Sequence, residues 1–347
     1  MSKKKDYIVY IDSIKGFAIL SVVVGHVIAN FFESWSDTLN AVPEAMYWWR
    51  LIYSFHMPLL MCVSGYLFLS SRVKESPSMK LWWHKSQPLI IPFISMGFFL
   101  YVLRDYKGSY WYLRTLFEYI TIQLTYEICR NKFCLGLGAD IVFFLISWGG
   151  MIILGRFLCL SYLDGIIDFS HLQWLWIYFY SGVLFRRYGL LFKLKQIKNI
   201  ESYLLIIFAS YSFITIGYQN EISIFTNTFT TPLYILCGLI SIFLGFEHYK
   251  QSIWIMKAFQ YMGRHTLEIY LIHVLIPLKL CSVGELIIKL CKLSEKTGDM
   301  QYQLTGLTIE ILMSVLLSLI IIFLCASIYE PLKVYPLVYR ILFGRRI

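Results

Sequence analysis

The first long apolar segment of the chain carries three ionisable side chains, Asp12, Lys15 and His26. A charged group in hydrocarbon costs about 2.5–3.5 kcal/mol on insertion scales, so such groups usually mark function. Lys15 and His26 are eleven residues apart. Eleven residues are close to three helical turns, which places both on one stripe about 16 Å apart, with Asp12 near it. The segment predicts a cation near one membrane face and a titratable imidazole near mid-bilayer, the layout of a site entered from the cytoplasm.

Two further histidines occupy similar depths in later apolar segments. His56 precedes Met57-Pro58, and His273 ends the run that begins at Arg264 and contains Glu268. Like His26, each falls roughly 8–13 residues from the end of its segment, which corresponds to the middle of a spanning helix. Three imidazoles at this depth predict a shared polar cavity, because lipid solvates such groups poorly.

Structural roles remain open for all of these residues. His56 can satisfy the carbonyl that Pro58 leaves without a donor. Glu268 can pair with Arg264 one turn earlier on the same helix. Snorkelling to the interface or hydrogen bonding between helices can explain Lys15, Arg114, His26 and His273.

Membrane helices are the elements that must position these groups. The chain has 347 residues, of which 58% are hydrophobic and 15% charged, and its mean hydropathy is +0.63. Its apolar stretches are about 17–24 residues long, as a spanning helix requires, and the alternation of a membrane β-barrel is absent. We predict an all-α polytopic membrane protein, one domain over residues 1–347 with about ten transmembrane helices. The predicted spans are 14–32, 47–70, 86–105, 111–128, 138–160, 172–189, 201–218, 230–248, 266–283 and 306–328.

The net charge of +10 follows from membrane topology and does not indicate nucleic-acid binding. Lysine and arginine concentrate at the N-terminus and in two predicted loops, 71–87 and 186–200. The positive-inside rule then places both termini and these loops in the cytoplasm, and the mixed-charge loop 284–305 outside. The eight cysteines are scattered, and no carboxylate–histidine spacing suits a metal, so we predict neither disulfides nor a metal site.

Five short motifs stand in order along the whole chain. They are Asp12-Ser13-Ile14-Lys15-Gly16 with Gly25-His26, Phe55-His56-Met57-Pro58-Leu59 with Ser64-Gly65-Tyr66, Lys85 to Pro92, Trp111-Tyr112-Leu113, and Tyr261 to His273. In these motifs the chain resembles the acyltransferase-3 family of bacterial integral membrane O-acyltransferases. It looks most like the branch of fucose 4-O-acetylase-like and polysaccharide O-acetyltransferases. Lys15 stands where the family more often has arginine, and Arg264-His265 where a small polar pair is common.

The resemblance implies transfer of an acyl group from cytoplasmic acyl-CoA, with acetyl-CoA the expected donor. The acceptor would be a hydroxyl of a surface polysaccharide or of its lipid-linked precursor. Histidine suits such chemistry because it titrates in the useful range, and His26 is the candidate base or transient acyl carrier. The further catalytic candidates are Asp12, Glu268 and His273. The donor-binding candidates are Lys15, Lys85, Arg114 and His56, with the lysines acting as point charges that lack arginine's bidentate fork.

The same resemblance implies a multi-pass protein of the bacterial cytoplasmic membrane. Its expected partners are acyl-CoA, a glycan or lipid-linked sugar, and the bilayer, without nucleic acid or metal; homo-oligomerisation stays open. A succinyltransferase of the same family is an alternative. A transporter or flippase for a lipid-linked sugar would also carry polar midplane residues, but no matched pair of broken helices appears in the sequence. A polysaccharide polymerase would need a larger external loop.

Overall fold

The structure is a computed structural model that describes residues 9–32, 34–70, 73–74, 76–104, 110–157, 169–217, 230–249, 251, 253–276 and 280–345. All regular elements in these ranges are helices, which confirms the all-α prediction. Contacts divide the chain into two compact units. The first unit contains Pro58–Lys198 and the C-terminal segment from Glu330, and the second contains Val9–Met57 and Asn199–Tyr329. The single functional domain stays a prediction.

The helices follow one another with short connections. In chain order they are α1 (Val9–Ala29), α2 (Trp35–Ala41), α3 (Tyr47–Phe68), α4 (Met79–Arg104), α5 (Trp111–Lys132), α6 (Leu137–Phe157), α7 (Phe169–Tyr188), α8 (Leu190–Leu194), α9 (Ile200–Gly217), α10 (Thr231–His248), α11 (Trp254–Arg264), α12 (Thr266–Ile272), α13 (Cys281–Thr297), α14 (Met300–Leu332) and α15 (Pro336–Phe343). Short 3₁₀ helices cover Pro43–Met46 and His273–Leu275.

Four of the described helices, α1, α3, α10 and α14, are long and apolar enough to cross a membrane. Shorter apolar helical stretches cover residues 137–153, 200–212 and 266–275. Each of the ten predicted spans overlaps a helix, and the other overlapping helices do not meet the length and hydropathy of a span within the residues that the structure describes. A membrane protein is therefore supported, and the number of about ten spans stays a prediction.

Two expectations near the C-terminus are wrong in detail. The predicted outer loop 284–305 is helical over most of its length, because it contains most of α13 and the start of α14. In α13, Gly284, Ile287, Cys291 and Ser294 are buried at helical spacing, while most of its charged residues are exposed. The sequence analysis considered only the mixed charge of this segment and not the helical spacing of its residues, so it did not predict the amphipathic helix. The predicted span 266–283 is also interrupted: α12 ends at Ile272, a 3₁₀ turn follows, and α13 begins at Cys281.

A close helix crossing built on glycine occurs in the first unit. A Cβ atom on Gly65 of α3 would lie 1.9 Å from the carbonyl oxygen of Phe179 in α7. Reciprocally, a Cβ on Gly182 would lie 1.9 Å from the carbonyl oxygen of Cys62. Small residues let membrane helices approach backbone to backbone, so no larger side chain fits either position without moving a helix.

The second unit repeats this arrangement where α1 crosses α11. A Cβ on Gly16 would lie 1.9 Å from the carbonyl oxygen of Phe259, and a Cβ on Gly263 would lie 1.8 Å from that of Asp12. The contact holds the first two turns of α1 directly against the end of α11. Because Lys15 immediately precedes Gly16, the crossing also fixes the position of this lysine.

Candidate active site

His26 is an exposed residue within an otherwise buried stretch of α1. The residues around it in α1, 21–25 and 27–28, are all buried, whereas His26 is exposed. Its imidazole ring lies 5.2 Å from that of His273 and 6.4 Å from the ring of Tyr53, measured between centroids. His26 is therefore exposed, with the polar rings of His273 and Tyr53 beside it.

Hydrogen bonds orient the other two imidazoles. Nδ1 of His56 lies 2.7 Å from the carbonyl oxygen of Ile52, and Nδ1 of His273 lies 3.0 Å from that of Ile269. A carbonyl can only accept, so each Nδ1 carries the hydrogen and each neutral ring keeps a lone pair on Nε2. Nε2 of His273 is buried and has no hydrogen-bond partner among the described residues. His273 therefore offers a proton acceptor next to His26.

Tyr53 connects His56 to this pair. Its ring lies 4.7 Å from the ring of His56 in an edge-on contact, and it stacks on Trp49 at 4.2 Å. Gly25 leaves room for the ring of Tyr53, because a Cβ atom at position 25 would lie 2.8 Å from that ring. The predicted grouping of the three histidines is thus present: His26 and His273 are in ring contact, and His56 joins through Tyr53.

His56 does not bond the backbone carbonyl that Pro58 leaves without a donor. Proline at position 58 removes the donor for the carbonyl of Ser54, four residues earlier. His56 instead bonds the carbonyl of Ile52. Satisfying the carbonyl freed by the proline is therefore not what this imidazole does.

Asp12, one of the two carboxylates predicted as catalytic, lies apart from His26 along α1, and Glu268 lies on another turn than His273. Asp12 forms an ion pair with Lys15, with 2.8 Å between Nζ and Oδ1. Along the axis of α1, Asp12 lies about 21 Å before His26. Glu268 is buried, with 1% exposure, in the first turn of α12. It precedes His273 by five residues, which is about 140° around a helix. The structure thus brings Asp12 to Lys15 rather than to the histidines.

Lys85 and Arg114 belong to the first unit and are described there alone. The ammonium of Lys85 lies 5.1 Å from the ring centroid of Phe68, within the range of a cation–π contact. Arg114 is half-buried in α5, two residues after Tyr112, whose hydroxyl is 3.0 Å from that of Ser64. Both cations are fixed on helices that carry the resemblance motifs.

Glu310 is a residue that the sequence analysis did not single out. It lies in α14 with 0% exposure, and neither carboxylate oxygen has a hydrogen-bond partner among the described residues. The neighbouring turn is anchored, because Nε1 of Trp48 donates to the carbonyl of Leu307 at 2.9 Å. The signal was available: a carboxylate within the predicted span 306–328 is as unusual as the charges in the first span.

Comparison with known proteins adds the family. A search of curated proteins and a search of solved structures return no significant match. The acyltransferase-3 family, described as an acyltransferase domain, matches residues 8–330. This match covers nearly the whole chain, including both units and all five motifs. The chain therefore belongs to the acyltransferase-3 family of membrane acyltransferases.

Proposed function

We propose that this protein transfers an acetyl group from cytoplasmic acetyl-CoA to a hydroxyl of a surface polysaccharide or of its lipid-linked precursor. The family match supplies acyl transfer. The observation that carries the assignment to a site is the contact between His26 and His273, one ring open and the other with an unused Nε2. The protein acts in the bacterial cytoplasmic membrane, with both termini in the cytoplasm, as the distribution of lysine and arginine favours.

Ester formation from a thioester requires that a proton leave the acceptor hydroxyl as its oxygen attacks the carbonyl carbon. In a direct route, His26 takes this proton, the carbon–sulfur bond breaks, and the departing thiolate receives the proton. In a two-step route, a ring nitrogen of His26 attacks the thioester and the thiolate leaves. His273 accepts the ring proton of His26 and passes it to the thiolate. The hydroxyl then displaces the acyl group from the imidazole, and its proton returns to the ring nitrogen of His26. Only the two-step route uses His273 as a second base.

The other polar residues serve binding and orientation in this proposal. In the second unit Lys15 is the candidate to neutralise a phosphate of the donor, and Asp12 holds Lys15 in place through their ion pair. Lys85 and Arg114 are the donor-binding candidates of the first unit. His56 and Tyr53 border the same space as His26 and orient the acyl group or the acceptor. Glu268, buried in α12, positions the helix segment that ends at His273.

Mass spectrometry of surface glycans with and without the gene tests the proposed function. We expect a mass difference of one acetyl group per modified repeat. A succinyl difference would replace the donor while keeping the reaction. Unchanged glycans together with altered export of a lipid-linked sugar would contradict acyl transfer and indicate a transporter.

The two chemical routes are separated by labelling. The purified protein is incubated with acyl-labelled acetyl-CoA in the absence of acceptor and then digested under conditions that preserve acyl-imidazole. Label on the peptide that contains His26 establishes the two-step route. Release of coenzyme A only when acceptor is present, with no labelled peptide, establishes the direct route.

A further inference from the structure

We propose that Lys74, Arg130 and Arg186 form a binding site for the phosphate headgroup of an anionic membrane lipid at the predicted cytoplasmic side of the first unit. Lys74 lies in the predicted cytoplasmic loop 71–87, and Arg186 begins the loop 186–200. Arg130 lies between the predicted spans 111–128 and 138–160, so the alternation of the spans places it on the same side. Lipid binding here is separate from acyl transfer, because the proposed reaction uses none of these residues.

Contacts in the first unit bring the three connections together. The side-chain amide of Asn131 donates to the backbone carbonyl of Lys74 at 2.7 Å, which ties this loop to the end of α5. The ammonium of the lysine then interacts electrostatically with the guanidinium groups of Arg130, Arg186 and Arg187. Like charges gathered in this way repel one another, and a bound anion would turn that repulsion into attraction.

The carboxylates beside this cluster do not cancel its charge. Asp140 pairs with Arg130 at 3.0 Å, and Glu127 pairs with Arg187. Both carboxylates are buried, with 0% and 1% exposure. Lys74 has no ion pair among the residues that the structure describes. The excess positive charge lies on the accessible side, because Lys74 is exposed and the side chain of Arg130 is 23% exposed.

The pKa of Lys74 reflects the same surroundings. Loss of water contact lowers it from the usual value, and the neighbouring guanidinium groups lower it further, whereas Glu127 opposes the shift. Arg186 is held in place over the ring of Tyr66, 5.0 Å from its centroid. A phosphate group would counter the repulsion with charge-assisted hydrogen bonds to the ammonium and to this guanidinium.

Apolar side chains beside the cluster favour a lipid as the source of the phosphate. Phe133 and Leu137, at the turn between α5 and α6, are 63% and 54% exposed. Ile141, which is 51% exposed, continues this surface next to Asp140, the residue that binds Arg130. An acyl chain fits along this surface while its headgroup meets the cations, and basic pockets at the cytoplasmic side of membrane proteins bind lipid phosphates in this way. A soluble phosphate compound would gain nothing from the apolar contacts.

Titration of phosphatidylglycerol into the full chain in neutral detergent, followed by native mass spectrometry, tests the inference. Phosphatidylcholine, which carries a phosphate but no net charge, is titrated in parallel. We expect the wild type to prefer phosphatidylglycerol, and Lys74→Gln to weaken this binding about fivefold or more. Lys74→Arg keeps the charge and should bind like the wild type. Lys80→Gln is the matched control, since Lys80 is exposed in the same predicted loop, and its affinity should stay within about twofold of wild type.

Four results would overturn the site as proposed. The first is equal phosphatidylglycerol affinity of the wild type and Lys74→Gln. The second is equal weakening by Lys74→Gln and Lys80→Gln, which would indicate general surface charge. The third is a wild type that does not prefer phosphatidylglycerol to phosphatidylcholine. The fourth is displacement of phosphatidylglycerol by coenzyme A or inorganic phosphate, which would assign the cluster to a soluble ligand. None of these results depends on acyl transfer, so the proposed function is tested separately.

Discussion

Two buried carboxyl groups, Asp140 in the first unit and Glu310 in the second, differ in the partners around them. In the first unit, Asp140 of α6 has 0% exposure and is surrounded by donors from α5 and α7. Arg130 Nε donates to its carboxylate at 3.0 Å, and Arg187 Nε lies 3.5 Å away. The hydroxyls of Tyr126 and Tyr188 donate to the two carboxylate oxygens. This carboxylate is saturated, and its partners tie three helices together.

In the second unit, Glu310 of α14 has 0% exposure, and neither of its carboxylate oxygens has a hydrogen-bond partner among the described residues. Nε2 of His273 is likewise buried without such a partner. An unsatisfied buried group costs about 1–3 kcal/mol, so such groups call for an explanation. The comparison separates a carboxylate whose charge network builds structure from a buried carboxyl group that no described side chain satisfies.

Removing the carboxylate of Asp140 should have the largest effect on stability. Asp140→Ala removes the carboxylate partner of Arg130 and leaves Arg187 paired with Glu127 alone, and breaking such a buried pair costs about 3–5 kcal/mol. We expect a strongly lowered thermal midpoint in detergent, or loss of accumulation in the membrane. Glu330→Ala is the control, because its 2.8 Å pair with Lys333 is exposed and contributes at most about 1 kcal/mol. Similar losses for the two variants would mean that the Asp140 network is not structural.

Each unit contains one of the glycine crossings described above. Replacing a glycine tests whether the close helix contact stabilises the protein. Gly263→Ala places a methyl group 1.8 Å from the carbonyl oxygen of Asp12, and such overpacking costs about 1–3 kcal/mol. Gly97→Ala is the matched control, since a Cβ there meets no atom within 4 Å. In the control, replacing a helical glycine should stabilise by about 0.5–1 kcal/mol. Thermal unfolding of both variants checks the prediction, and equal midpoints would contradict the crossing.

Glu310 should respond in the opposite direction to Asp140. Glu310→Leu replaces an unsatisfied carboxyl by an apolar side chain, which should raise the free energy of unfolding by about 1–3 kcal/mol. A higher thermal midpoint than wild type is the expected result. A lower midpoint would show that Glu310 has a stabilising partner in the membrane-embedded protein. It would then no longer differ from Asp140 in this respect.

The sequence predicted the all-helical fold class, because apolar stretches of spanning length identify helices. Depth in those stretches predicted that His26, His56 and His273 lie together, and the structure brings their rings near one another. The catalytic and binding roles of the site residues stay predictions. The amphipathic α13 was missed because its charges were counted without their helical period. Asp140 was missed because its partners come from two other helices, and no local spacing reveals such a set.

One feature of the site depends on a tertiary contact that no motif encodes. Tyr53 joins the histidines only because Gly25 leaves room for its ring. In the same way, the sequence does not show that Gly16 and Gly263 let α1 and α11 touch. The pairing of Arg264 with Glu268 stays a prediction.

Acyl transfer by a His26→Gln variant tests the central claim most directly. Glutamine keeps hydrogen bonding but is neither a base at neutral pH nor an acyl carrier. With the amount of membrane-inserted protein matched, we expect glycan acylation to fall by about 10²–10⁴-fold, the usual loss for a general base. His84→Gln, a change at an exposed histidine of α4, should keep wild-type activity. Near-normal acylation by His26→Gln would contradict the account and remove His26 from the reaction.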